Sequence, residues 1–388
     1  MLLDSIQTSI TFRRDAGMLS AISNPQRALS FASSISGAAS LLAPRRTLPR
    51  HLVRAFHILR DVPSLRQHRR QLLLNGSTVG LVPTMGALHA GHISLVKRAA
   101  AENSHVMVSI YINPTQFGVN EDLASYPQTW DSDIKQLQEL DDQLKRDGKG
   151  RIEAVFAPTG KTMYPTLPPD STLPGTGSFV TITPLASLLE GKSRPVFFRG
   201  VATVCMKLFN IVQPEKVYFG QKDVQQTVII KRMVKDFHLD IEVVVVPTER
   251  EKDGLAMSSR NVYLGERRRK VGIVLSQALR AAEAAYKMGK TRREDIMALA
   301  WDVANRMQME QDGLDERTGA KFEVDYLSLA NPDTLEELDA VEASQGAVLS
   351  GAIKMLPLET TTDNEKLGLG DDNVAVRLID NIILAPTS

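Results

Sequence analysis

Continuous apolar, β-branched runs alternate along this chain with stretches whose apolar residues recur at helical spacing. The runs lie at 78–82 (TVGLV), 105–112 (HVMVSIYI), 152–157 (IEAVFA), 216–219 (KVYF) and 241–246 (IEVVVV). Such unbroken runs suit strands covered on both faces, as in a parallel sheet. Ile93, Leu95, Val96, Ala99 and Ala100 follow the first run, and Val228, Ile229, Met233, Val234 and Phe237 precede the last. The alternation predicts βαβ units and an α/β fold, a doubly wound parallel, Rossmann-like sheet, over residues 53–262. Beyond about residue 262 the pattern changes. Helical stretches at 267–288 and 292–310 precede short strands at 322–328, 347–354 and 374–378, which predicts a smaller α+β C-terminal domain over 263–388. Three polar segments interrupt the pattern: a surface excursion at 141–151, a proline-bearing loop at 164–177 and an inserted loop near 356–372.

Composition narrows the class. The 388 residues carry 46 Lys+Arg against 45 Asp+Glu, a formal charge of +1, so no global positive field recruits nucleic acid. With 43% hydrophobic and 23% charged residues the chain is globular. No apolar run approaches the roughly 20 residues that span a bilayer, so a membrane partner is not expected. The single cysteine, Cys205, excludes an intramolecular disulfide framework and a multi-cysteine zinc site. It sits in an apolar helical run and reads as a core residue. Residues 1–50 hold six Arg, nine Ser, no Lys, no Glu and only Asp4 and Asp15. That acid-poor leader, taken as 1–52, suits a mitochondrial transit peptide, or equally a tail without an address. The compartment is therefore cytoplasmic or mitochondrial.

The polar signatures gather at the ends of the predicted strands. After Val82 comes PTMGALHAGH, after Ile112 comes NPTQF, after Phe219 comes GQKDVQQ, and after Val246 a charged run leads to MSSRN. In an open α/β sheet, ligands bind beyond the carboxyl ends of the strands. His89 and His92 sit three apart at a glycine-bearing strand-to-helix turn, where Gly86 and Gly91 allow close backbone approach. The helix start offers free N–H groups and about half a positive charge, so neutral imidazoles beside it make a phosphate cradle. A metal pair is the competing reading, but it lacks a third ligand nearby in sequence. Ser258, Ser259 and Arg260 supply hydroxyl donors and a bidentate guanidinium for polyphosphate. Lys222 adds a cation, and Asp223 a single carboxylate, sufficient for Mg²⁺ when phosphate oxygens complete its shell. Asn113, Gln116 and Gln226 are neutral amides able to orient hydroxyls and carboxylates. Arg194 and Arg199 either approach the anion or lie solvated in their loop. There is no P-loop, nucleophile elbow or dinucleotide fingerprint. The site is built to position and neutralise phosphate while the substrates react directly.

The pairing of HxGH with Met-Ser-Ser-Arg resembles the signatures of the nucleotidyltransferase superfamily. The strings PTMGALHAGH, INPTQF, LLEGKSRP, FRGVATVCMKLFNIVQP, YFGQKDVQQ, DGLAMSSRN and RLIDN resemble, more narrowly, the pantoate–β-alanine ligase family, over roughly residues 56–388. The resemblance implies an ATP-dependent condensation of pantoate with β-alanine through a pantoyl adenylate, giving pantothenate, AMP and pyrophosphate. It implies that Met85, Gly86, Ala87, Leu88, His89, Ala90, Gly91 and His92 contact ATP, together with Gly220, Gln221, Lys222 and Asp223. Met257, Ser258, Ser259 and Arg260 would close over the triphosphate. His92 would be the acid-type catalytic residue, with His89, Lys222 and Arg260 as its catalytic partners. Gln116 and Gln226 would bind pantoate, Gln116 lying also near β-alanine with Asn113 beside it. Mg²⁺, with Asp223 as its protein ligand, and a homodimer are further implications. A relative adenylating another small acid is the alternative. Val196 and Phe197 stand where the family often has Gly-His, and Gln221 where an acid is common. The leader and the 141–151 and 356–372 segments fall outside the motifs and are expected to tolerate shortening.

Overall fold

Strands whose side chains are apolar on both faces need layers above and below, and this chain supplies them. The computed structural model describes residues 56–118, 123, 126–166 and 177–386. Six strands, β1 (His57–Leu59), β2 (Val79–Thr84), β3 (His105–Ile110), β4 (Arg151–Phe156), β5 (Lys216–Gly220) and β6 (Glu242–Val246), form one sheet in the order β1-β4-β3-β2-β5-β6. Every pairing within it is parallel. Strand order reverses between β2 and β5, so the crevice above those two strands is the topological switch point where open α/β sheets bind ligands. The predicted strands are all present. The edge strand β1 escaped prediction because three residues carry no readable period.

The helices are α1 (Val62–Leu74), α2 (Ala90–Glu102), α3 (Trp130–Arg146), α4 (Gly160–Met163), α5 (Glu190–Ser193), α6 (Phe197–Val212), α7 (Val224–Asp236), α8 (Glu266–Gly272), α9 (Val274–Lys287) and α10 (Arg293–Asp312). Two apolar clusters cover the sheet. One joins α1, α6 and α7 to the strands, and the other joins α2 and α3 to them. A third core, formed by α9, α10 and the antiparallel strands β7 (Phe322–Ala330), β8 (Ala347–Met355) and β9 (Val376–Leu384), belongs to the C-terminal part. Leu255 already belongs to this third core, so the late loop is shared between the two layers. No helix among the described residues is long and apolar enough to cross a membrane.

Three sequence expectations change. The 141–151 segment is not a surface excursion. It is the last turn of α3, a turn and the start of β4. Leu137, Leu140 and Leu144 face inward from a helix whose outer face is polar, and that outer face hid the helix in the sequence. The buried Asp141 carboxylate accepts the Ile152 N–H at 2.9 Å, and a Cβ at Gly150 would lie 2.0 Å from the Asn103 carbonyl oxygen. The 356–372 segment is irregular, as expected, yet it is anchored. Asp372 is fully buried against the equally buried Arg268 at 2.5 Å and accepts the Gly265 N–H at 2.9 Å. Finally, β9 runs on to Leu384, because Asp380 and Asn381, polar in sequence, are buried and paired with protein groups. The leader and most of the proline-bearing loop lie outside the described residues.

Candidate active site

The loop from β2 to α2 is shaped by a residue the motif does not contain. Gly86 and Ala87 both take positive φ, 86° and 50°. The strained turn is held from behind by Asp133 of α3, whose buried carboxylate accepts the Ala87 and Leu88 N–H groups at 2.9 Å each and the Thr129 hydroxyl at 3.0 Å. At the start of α2 the two imidazoles cap the helix reciprocally. His89 Nδ1 accepts the Gly91 N–H at 3.1 Å, and His92 Nδ1 accepts the His89 N–H at 3.3 Å. A ring nitrogen that accepts carries no proton, so each neutral ring bears its hydrogen on Nε2. Burial, then the Lys222 charge, lowers His89 to about 4. Burial, then His89 and Lys222, lowers His92 to about 3. Both rings are thus uncharged donors at neutral pH. His92 therefore offers a hydrogen bond from a neutral ring.

Beyond β3, Asn113 spends its whole amide on the protein. Its Nδ2 donates to Gln116 Oε1 at 3.0 Å and to the Gly200 carbonyl at 3.1 Å. Its Oδ1 accepts from Thr115 at 3.0 Å and Tyr164 at 2.8 Å. Asn113 therefore orients Gln116. Gln116 in turn donates to the Met85 sulfur at 3.2 Å, joining the first two strand-end loops. Gly200 explains the Phe-Arg-Gly string, because a Cβ there would stand 2.3 Å from the Thr115 carbonyl oxygen. Only glycine lets α6 approach the Gln116 turn this closely.

Beyond β5, Lys222 lies 3.2 Å from Asp223 Oδ1. The backbone under both is gripped by the C-terminal part: Asn381 Nδ2 donates to the Gln221 and Lys222 carbonyls at 2.8 and 2.9 Å. Gln221 turns its own amide toward Asn381, 3.2 Å away. Beyond β6, Arg250 forms a two-pronged pair with the buried Asp380 at 2.6 and 2.9 Å. Ser258 caps the following turn through the Arg260 N–H, and Ser259 donates to the Ala87 carbonyl at 3.2 Å, tying the late loop to the first. Tyr126 stands against this loop. Burial raises its hydroxyl pKa, while a hydrogen bond with Ser259 and the Arg260 charge oppose the shift.

These pieces enclose one cavity of about 210 Å³. Met85, His89, Gly91, His92, Asn113, Gln116, Gly220, Lys222, Asp223, Gln226, Met257, Ser258, Ser259 and Arg260 all line it. Gly86, Ala87, Leu88, Ala90 and Gln221 do not; they shape the loops behind it. A larger, mainly apolar cavity of about 580 Å³ adjoins it, sharing Tyr126, Lys222, Asp223, Ser258 and Arg260 and reaching β9. Arg194 lines this second space but is paired with Glu190 at 3.0 Å and stacked over Phe197. Arg199 lies over the Phe179 ring at 4.6 Å, so neither arginine is a solvated loop residue. Cys205 is buried as expected, its thiol pushed by burial up to about 12. Sequence reading missed Asp133, Tyr126, Asp380 and Asn381. Asp133 carried no signal, while the terminal RLIDN string contained the last two without revealing their partners.

A switch-point crevice walled by neutral imidazole donors, two hydroxyls, a lysine and an arginine is suited to a phosphate-positioning α/β enzyme. The model of the pantoate-beta-alanine ligase family matches residues 57–383. A pantothenate synthetase of Roseiflexus castenholzii is 43% identical over 292 residues, covering 75% of this chain and 94% of the relative. One from Acidobacterium capsulatum is 40% identical over 326 residues, covering 83% and 92%. Among solved structures, the pantothenate synthetase of Thermus thermophilus aligns with a TM-score of 0.66 at 36% identity, covering 85% of this chain and 100% of that one. A Francisella tularensis pantoate-beta-alanine ligase, in complex with β-γ ATP and β-alanine, aligns with a TM-score of 0.60 at 31% identity, covering 85% and 98%. The chain belongs to the pantoate–β-alanine ligase family.

Proposed function

We propose that the enzyme joins pantoate to β-alanine at the expense of ATP. A pantoate carboxylate oxygen attacks the α-phosphorus and pyrophosphate leaves. The β-alanine amine then attacks the acyl carbon, AMP departs with the acyl–oxygen bonding pair, and the amine proton passes to solvent. The observation that carries this reading is the convergence of His89, His92, Lys222 and Arg260 on a single cavity that also holds Gln116 and Gln226. The two Nε2–H groups and the two cations would receive charge as it moves onto the phosphate oxygens, the largest single contribution in reactions of this type. Gln116, pinned by Asn113, orients pantoate with Gln226, and the same cavity brings nucleophile and phosphorus together. Ser258, Ser259 and Arg260 bind the triphosphate.

Mg²⁺ would be held by Asp223 and phosphate oxygens. One carboxylate suffices for an ion that keeps most of its shell from water and substrate, and when bound it neutralises phosphate charge. The remaining proposals are a homodimer, residues 263–388 as a separate domain, and a leader of 1–52, a mitochondrial transit segment or a tail without an address, that can be shortened with activity retained. The deciding assay follows AMP and pyrophosphate from ATP and pantoate, with and without β-alanine. Pantoate-dependent pyrophosphate exchange without β-alanine, and AMP release only with it, is the expected result. Exchange with another small acid and none with pantoate overturns the proposal in favour of a relative with a different substrate.

A further inference from the structure

Glu153 is the extra residue of a β-bulge. In the pairing of β3 with β4, Val106 faces Ile152 and Met107 faces Ala154, leaving Glu153 unmatched. A bulge re-aims the side chain it carries and is a built feature of a strand. Here it leaves a carboxylate 3% exposed among three of the seven histidines. His68 Nε2, from α1, lies 2.8 Å from Oε1, and His105 Nδ1 lies 3.0 Å from Oε2. Arg151 donates to Oε2 as well, leaving Oε1 directed at His68 alone. Burial raises the carboxyl, but hydrogen bonds from His105 and Arg151 outweigh it and hold Glu153 at about 2, fully ionised. His57, the first residue of β1, stacks beside His68 with ring centroids 4.8 Å apart. One ligand atom from each of His57, His68 and Glu153 falls within 4.8 Å of the others. None of the three lines either cavity of the active site.

We infer that His57, His68 and Glu153 form a divalent transition-metal site at the β1 edge of the sheet, with His105 and Arg151 orienting the carboxylate from behind. Two imidazoles and a carboxylate suit Zn²⁺, Co²⁺ or Ni²⁺ and disfavour Mg²⁺, which takes oxygen ligands. With Zn–N bonds of about 2.0–2.1 Å, tetrahedral donors stand about 3.3 Å apart, so small side-chain rotations close the triad. His68 would shift its proton to Nδ1 and present Nε2 to the ion, while a solvent molecule completes four-coordination. Such an ion would link β1, α1 and β4, stapling a three-residue edge strand to the sheet.

The test is Co²⁺ and Zn²⁺ titration of the full-length protein, read by cobalt visible absorption and by melting temperature. The wild type is expected to bind one ion per chain at this site and to melt higher. His68→Gln keeps an N–H donor toward Glu153 but is a poor ligand. It should lose at least about tenfold in affinity and the Tm increment, while still forming pantothenate, which reports that it is folded. His57→Ala should do the same and serves if His68→Gln does not fold. His238→Ala, at an exposed turn, should bind like the wild type. Absence of saturable binding, or binding equal in the wild type and both site variants, overturns the assignment and leaves a hydrogen-bonded carboxylate cluster only.

Discussion

The two histidines of the first loop act through one nitrogen each, because the other is committed to capping the helix they introduce. Removing His92 as His92→Ala is expected to leave the protein folded and slow pantoate-dependent pyrophosphate exchange by about 10² or more, as loss of a preorganised donor does elsewhere. Neutrality also sets the pH behaviour. Folded-state values of about 4 and about 3 lie below the ordinary histidine value of 6.5. The unfolded chain therefore takes up protons first as pH falls through 6.5. Each ring's stabilising contribution is complete above that value and declines until pH reaches its own folded pKa. Melting temperature should thus fall on acidification from pH 6.5 toward 4, and His89→Asn, which retains a capping side chain, should flatten that slope. A slope identical in the variant contradicts the assignment. Asp133 has the complementary role of holding the loop. Asp133→Ala leaves a buried N–H group, Leu88, and a half-buried one, Ala87, without acceptors, and a loss of about 1–3 kcal/mol in denaturant unfolding is expected.

At the scale of elements, close approach decides function. Gly200→Ala must push α6 away from the turn that bears Gln116, because the added carbon meets backbone 2.3–2.5 Å away. Misplacement of about 1 Å at a reacting group costs on the order of 10²-fold, so kcat/KM for pantoate should fall by that factor in steady-state assays with the overall fold intact. The 356–372 loop is a second case. Its polar, glycine-containing composition correctly predicted irregular backbone, but a buried ion pair between distant residues leaves no trace in composition. Asp372→Ala strands the Arg268 guanidinium in the interior and is expected to cost about 3–5 kcal/mol, measured by chemical denaturation. Strand ends and helix starts were legible because each is written in consecutive residues. The helix over 130–146 was not, since its outward polar face dominates a short window.

For the molecule as a whole, the catalytic loops are clamped from the C-terminal part through Arg250–Asp380 and through the Asn381 amide beneath Gln221 and Lys222. The α+β part is therefore a structural partner of the loops proposed to hold ATP. Asn381→Ala should raise the KM for ATP several-fold while leaving pantoate affinity little changed, a separation that initial-rate kinetics can resolve. Equal effects on both substrates would place the clamp elsewhere.

Residue order alone determined the parallel α/β class and the four polar loops that follow its strand ends. Each of those is encoded in local periodicity and short consecutive motifs. Only the tertiary structure decided which nitrogen of each imidazole is free, that Asn113 serves Gln116, and that Asp133, Asn381 and the bulged Glu153 matter. These depend largely on contacts between residues far apart in the chain, and such contacts arise only when packing brings the segments together.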